Sequence, residues 1–274
     1  MSYARALALR PDSAEALTNR GAALHDLGRF GQALECYEAA LTRRPDFVHA
    51  LTNRGMSFFA LKRFGEALAS YDAALAVQPN YPDALARRGA VLHELFRFEE
   101  ALASYDRALA LRPADPETLY NKGNSLSRLR RLEEALESYD RALALRPDYP
   151  EALANRGSAL FELKRFEQAL ANYERALTVR PTDWEALDNS GSALHELKRY
   201  SEALSRFDRV LAAHPGHPDA LYNRGNTLVS LKRPSLVRHR PLPPPHRKRL
   251  HRNVEDLAKR RGAEKLRCRG RLSL

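Results

Sequence analysis

Residues 13–47 read SAEALTNRGAALHDLGRFGQALECYEAALTRRPDF, and the punctuation of this stretch returns every 34 residues. Gly21, Gly55, Gly89, Gly123, Gly157, Gly191 and Gly225 keep that interval, and so do Pro11, Pro45, Pro79, Pro113, Pro147, Pro181 and Pro215. A period of this length holding two helix-sized segments, with no insertion in any copy, is the pattern of stacked helical pairs. The length of 274 residues therefore counts repeats rather than globular domains.

Counting unit positions from Ala14 as position 1, Leu17, Gly21, Leu24 and Leu27 fall on one face of a 3.6-period helix. A second helix is expected from Phe30 to Arg43, with Phe30, Ala33, Leu34, Tyr37, Ala40 and Leu41 as its apolar stripe. Gly21 is expected to face Ala33 and Ala40, small residues that let the two helix axes approach closely. Ser13 stands where an N-cap belongs, and Asp115 followed by Pro116 supplies a cap with proline at the first helical position. Pro45 and its equivalents cannot continue the second helix and so end it. Each unit reads as helix, turn, helix, stop, and no unit is expected to stand without its neighbours.

The net charge of +11 divides unevenly: residues 1–231 carry 30 Lys and Arg against 31 Asp and Glu, whereas residues 232–274 carry 15 against 3. The array is neutral and the tail holds the excess. Regularity stops at Pro234, which stands where earlier units have Phe30, Phe64, Phe98, Leu132, Phe166 and Tyr200. From there PSLVRHRPLPPPHRKRLHR has no periodicity and reads as a disordered basic tail, with a weak helical pattern at Val254, Leu257 and Ala258. Leu221, Leu228 and Leu231 of the last array helix are expected to lose their cover. Because both ends stop inside a unit the sequence reads as a fragment, and the Arg/Pro tail as a candidate shifted frame. The start, MSYARALALRPD, lacks the apolar core of a secretory signal, and neither end of the array carries an 18-residue apolar run. Cys36 and Cys268 have no paired-ligand spacing, so no disulfide framework or zinc site is expected and a reducing, cytoplasmic location is the default.

The 34-residue period and its two-helix content are the signature of the tetratricopeptide repeat, which the chain resembles over residues 2–233. The resemblance implies an all-α, right-handed α-solenoid whose first helices line the concave side. The expected division is a partial unit at 1–13, full units at 14–47, 48–81, 82–115, 116–149, 150–183 and 184–217, a half unit at 218–233, and the tail at 234–274. The wording NRGxxL, EAL and SYDRALALRPD is similar to the repeats ahead of the catalytic domain in bacterial SPINDLY-like O-linked N-acetylglucosamine transferases. That catalytic domain is absent, so no transferase residue carries over.

Position 6 of the first helix reads Asn19, Asn53, Arg87, Asn121, Asn155, Asn189 and Asn223. Asn is a mediocre helix former, and a row of amides with donors and an acceptor each can hydrogen-bond an extended peptide backbone whatever its sequence. In the transferase arrays that the chain resembles, an asparagine ladder at this position holds substrate peptides. Two other accounts stay open: unit duplication copied a tolerated Asn, or each Asn bridges to its neighbouring unit. Position 12, beside this stripe, carries His25, Phe59, His93, Phe161 and His195, candidate anchors for a partner's side chains and too far apart for a metal set. The two-carboxylate clamp known in this family would need Lys and Asn where the chain has Thr18 and Ala22, and Lys where it has Asp83. Only Asn53 and Arg87 match, so that use is rejected at this register. The acidic residues at position 2, such as Glu15 and Glu117, suit helix N-termini.

No Gly-rich phosphate loop, nucleophile elbow or metal-ligand spacing occurs. The expectation is a non-enzymatic scaffold without cofactor or metal, binding a protein or an extended peptide on its concave face. The alternative is the substrate-recognising part of a glycosyltransferase. Nucleic acid enters only through the tail cluster HRKRLHR, and Pro241 and Pro244 offer a PxxP spacing there.

Overall fold

The computed structural model describes residues 13–232. The expectations for the first twelve residues and for the tail, including its disorder, lie outside the described residues. Thirteen helices follow one another with no strand among the described residues. They are α1 Ala14–Asp26, α2 Phe30–Arg43, α3 Val48–Ala60, α4 Phe64–Val77, α5 Pro82–Glu94, α6 Phe98–Leu111 and α7 Pro116–Arg128. The remainder are α8 Leu132–Leu145, α9 Pro150–Glu162, α10 Phe166–Val179, α11 Trp184–Glu196, α12 Tyr200–Ala213 and α13 Pro218–Lys232. The fold is an all-α, right-handed solenoid of helical hairpins.

Helix ends follow local chemistry. The Ser13 hydroxyl accepts from the Ala16 N–H at 3.0 Å, and one Asp115 oxygen accepts from the N–H groups of Glu117 and Thr118 at 3.1 and 3.2 Å. Asp183 caps α11 in the same way, through Glu185 and Ala186. Each second helix stops two residues before its proline. Between the helices of a pair one residue adopts the left-handed region: Gly28 first, then Lys62, Phe96, Arg130, Lys164 and Lys198, with φ between 58° and 73°. This is a Schellman closure, with Gly28 N–H donating to His25 O and Arg29 N–H to Leu24 O, both at 2.8 Å. The arginine that follows then pairs with a glutamate three residues on, as in Arg97–Glu100 and Arg131–Glu134, at the start of a helix that lacks a side-chain N-cap.

The core of each hairpin centres on the ring at position 24. Tyr37, Tyr71, Tyr105, Tyr139 and Tyr173 are each 1% exposed, and Phe207 is fully buried. The glycine of the first helix lies under this ring: a Cβ on Gly123 would stand 2.5 Å from Tyr139 Cε1, and one on Gly21 2.5 Å from Tyr37 Cε1. The glycine thus makes room for an aromatic ring, a reason that the expectation naming Ala33 and Ala40 did not include. Leu27 also departs from its expected place in the apolar face, being 71% exposed. Its equivalent Leu61 is also exposed, whereas Leu129, Leu163 and Leu197 further along the array pack against the core. At the other end Leu221 and Leu231 are exposed, and Leu228 is half-buried.

Neighbouring hairpins are stapled by recurring polar pairs. Arg88–Asp72, Lys122–Asp106, Arg156–Asp140 and Arg224–Asp208, each at 2.6 Å, tie a first helix to the second helix before it. Arg107, Arg175 and Arg209 donate to the carbonyls of Pro79, Pro147 and Pro181 in the preceding connection. First helices of successive hairpins touch one another, while no pair of second helices makes comparable contact. The first helices therefore form the inner, concave wall.

Candidate functional site: the inner face

Along the first helices position 6, at Asn155 and Asn223, meets positions 5 and 9 of the preceding hairpin, and position 12 lies beside it. Hydrogen bonds fix how position 6 sits. Asn155 Nδ2 donates to Tyr120 Oη at 3.1 Å and to Asn124 Oδ1 at 2.8 Å, while Tyr139 Oη donates to the same Asn124 oxygen at 2.8 Å. Asn223 Nδ2 likewise reaches Asp188 Oδ2 and Ser192 Oγ, at 3.2 and 3.4 Å. These two position-6 amides therefore lie against positions 5 and 9 of the hairpin before them.

The row is not uniform. Asn155 and Asn223 bridge hairpins, as one of the open alternatives had it. Asn19, Asn53, Asn121 and Asn189 make no side-chain hydrogen bond among the described residues. Asn19 and Arg87 are exposed, and the other five members are half-buried. The amides left over keep both donors and the acceptor unspent among the described residues.

Position 12 borders this row and faces its own hairpin. Its rings meet the position-17 ring edge-on or tilted: His25–Phe30 at 5.0 Å, Phe59–Phe64 at 5.5 Å, His93–Phe98 and Phe161–Phe166 at 5.2 Å, and His195–Tyr200 at 5.4 Å. The histidines also bridge forward, Nδ1 lying 2.8 Å from Ser57 Oγ, Ser125 Oγ and Thr227 Oγ1 respectively. Thr227 spends its one hydroxyl proton on Asn223 O, so His195 Nδ1–H is the donor there. Burial pushes all three imidazoles below their ordinary range; Asp26, Glu94 and Glu196 oppose the shift, and Arg87 and Arg128 add to it at His25 and His93. All five side chains are half-buried, leaving part of each at the wall.

Charges at the rim are largely matched within the protein. Arg44–Glu15, Arg112–Asp83, Arg146–Glu117 and Arg180–Glu151 join the end of a second helix to the start of its own first helix at 2.6–3.5 Å. Sequence reasoning assigned these acids to the helix dipole alone and missed the arginines, which recur 29 residues on. Among the described residues no three metal-ligating side chains come together, and no helix is long and apolar enough to cross a membrane.

Family models described as "Tetratricopeptide repeat" match residues 115–182 and residues 2–46, 23–82, 52–116, 162–205 and 189–236. The chain belongs to the tetratricopeptide-repeat family. No curated protein matches it. Among solved structures it is similar to YrrB, described as a tetratricopeptide-repeat protein with an unusual peptide-binding site. That match has 24% identity and a TM-score of 0.57, covering 68% of this chain and 96% of YrrB. It is also similar to pilF of Pseudomonas aeruginosa, at 19% identity and TM-score 0.71 over 79% of this chain and 99% of that one. PilW, a type IV pilus biogenesis factor, matches at 20% identity and TM-score 0.71 over 76% and 97%. At these identities the likeness is one of fold. Proteins of this family are in general protein-interaction scaffolds.

Proposed function

We propose that the protein is a non-catalytic scaffold that holds an extended peptide segment of a partner along its inner face. The observation that carries this is the division of labour within the position-6 row. Asn155 and Asn223 hold neighbouring hairpins in register, while Asn19, Asn53, Asn121 and Asn189 keep their amides for a ligand. Each such amide can donate to a peptide carbonyl and accept from a peptide N–H, so the row reads backbone and tolerates sequence. Position 12 gives the strip its wall, with the half-buried His25, Phe59, His93, Phe161 and His195 offering only their outer edges to a partner side chain. YrrB, on the same fold, is described as carrying a peptide-binding site. The wording shared with transferase repeats gives the second reading, in which the held peptide is presented to a glycosyltransferase domain outside this chain.

The test is retention on an array of dodecapeptides of randomised sequence. The wild type is expected to retain a broad set, and a variant carrying Asn19→Ala, Asn53→Ala, Asn121→Ala and Asn189→Ala to lose most of it with unchanged helix content. Equal retention by both would remove the amide row from the mechanism.

A further inference from the structure

The inner face changes character along its length. Position 9 is Ala22, Met56 and Ala90 in the first three hairpins, then Asn124, Ser158, Ser192 and Asn226. Position 6 is Asn everywhere except Arg87 in the third. These two departures meet in one place. A cleft of about 200 Å³ opens here, lined by His25, Met56, Phe59, Ala60, Tyr71, Arg87 and Ala90. At about 30 Å³ per water that is the room of six or seven waters, enough for one aliphatic side chain.

Arg87 is the charged member of this group. It is exposed and makes no ion pair or hydrogen bond among the described residues. The acid one turn before it, Asp83, is already held by Arg112 Nη1 at 2.8 Å. Burial pushes the Tyr71 and Tyr81 phenols up and the His25 imidazole down, and the Arg87 guanidinium acts on all three, opposing the rise in the phenols and adding to the fall in the imidazole, so its positive field reaches the cleft. Its neighbours in the row, Asn53 before and Asn121 after, offer amides on both sides. A peptide lying on the strip passes across Arg87 and does not end there, which makes the matching carboxylate a side chain.

We infer that this cleft is a selectivity pocket within the proposed peptide strip, taking an apolar side chain that stands beside an Asp or Glu in the bound segment. The inference rests on the peptide-docking reading and adds to it a ligand class: an acidic–aliphatic element at hairpins one to three, with backbone-only recognition further along. The apolar walls desolvate the aliphatic group, and the guanidinium selects the carboxylate over an amide or a cation. A solvent-exposed pair of this kind shifts affinity by about fivefold at most, so the effect is one of choice among peptides more than of overall grip.

The same dodecapeptide array, with every sequence printed both C-terminally amidated and with a free C-terminus, tests this. Amidated peptides retained by the wild type are expected to be enriched in an aliphatic residue adjacent to Asp or Glu. Arg87→Asn should remove the acidic preference and keep the aliphatic one. The pair Met56→Asn and Ala90→Asn should remove the aliphatic preference and keep the acidic one. Asn is what the chain itself carries at the equivalent position 124, so these variants are compatible with the fold. The inference is overturned if retained peptides show no such enrichment, if either preference survives its substitution, or if enrichment is confined to free C-termini. Retention that falls in the four-asparagine variant but keeps its selection in Arg87→Asn would leave the docking strip standing and remove the pocket; no retention by the wild type would remove both.

Discussion

Replacing Gly123 by Ala tests the packing that sets the spacing of the whole inner face. The new Cβ would lie 2.5, 2.7 and 3.0 Å from Cε1, Cδ1 and Cζ of Tyr139, where comfortable carbon contacts begin near 3.5 Å. The ring has to withdraw by about 1 Å, yet it is 1% exposed and its hydroxyl donates to Asn124 at 2.8 Å. Overpacking of a filled site costs about 1–3 kcal/mol, and losing the hydroxyl's bond adds about 1 kcal/mol. Alanine in place of a mid-helix glycine offsets about 1 kcal/mol. The net expectation is a loss of about 1–3 kcal/mol. Gly225 is the internal control, because a Cβ there meets nothing within 4 Å among the described residues; Gly225→Ala keeps only the propensity gain of about 0.5–1 kcal/mol. Urea titration followed by circular dichroism at 222 nm should lower the midpoint for Gly123→Ala and leave it equal or raised for Gly225→Ala. Two variants that move the midpoint in the same direction, or Gly123→Ala at or above wild type, would refute the ring-over-glycine account.

Further outcomes follow from other contacts. Asn155→Ala removes two bridging bonds worth about 0.5–1.5 kcal/mol each, offset by about 0.7 kcal/mol of helix propensity, and should destabilise the array in the same titration. Asn121→Ala should not, and equal loss in both would erase the distinction between bridging and free amides. Asp115→Ala should cost about 1 kcal/mol through the lost cap of α7; an unchanged midpoint would deny the cap its role. For pH, the folded histidines hold their protons less tightly than the ordinary value of 6.5. Their contribution is complete above that value and is lost as pH falls from it through the lower folded value. Between pH 7 and 5 the thermal midpoint should therefore drop, and drop less in a variant with His25, His93 and His195 changed to Gln. A slope identical in both would assign it elsewhere.

Much of this was legible because a duplicated text prints the same physics seven times. The period and the ends of the second helices follow from Gly21, Pro45 and their copies, while the concave placement of the first helices came with the resemblance to the repeat family. What escaped the sequence depends on the angle between hairpins or on backbone geometry without a residue signature. The left-handed turn residue is Gly only at Gly28; at Lys62, Phe96, Arg130, Lys164 and Lys198 nothing in the side chain announces it. The arginine partners of Glu15, Asp83, Glu117 and Glu151 lie 29 residues away, at the far end of the hairpin. Whether an Asn is free or bridging is decided by its neighbours: Asn155 finds Tyr120 and Asn124, whereas the hairpins before Asn53 and Asn121 carry Thr18 and Ala22, and Ala86 and Ala90.

The central claim is that free amides on the inner wall hold a peptide backbone. Nitrogen-15 NMR of the side-chain NH₂ groups, during titration with a dodecapeptide retained on the array, reads this directly. The amide signals of Asn19, Asn53, Asn121 and Asn189 should shift together and saturate at one ratio, while those of Asn155 and Asn223 move little. Shifts confined to residues of the second helices, with the four free amides unmoved, would contradict it.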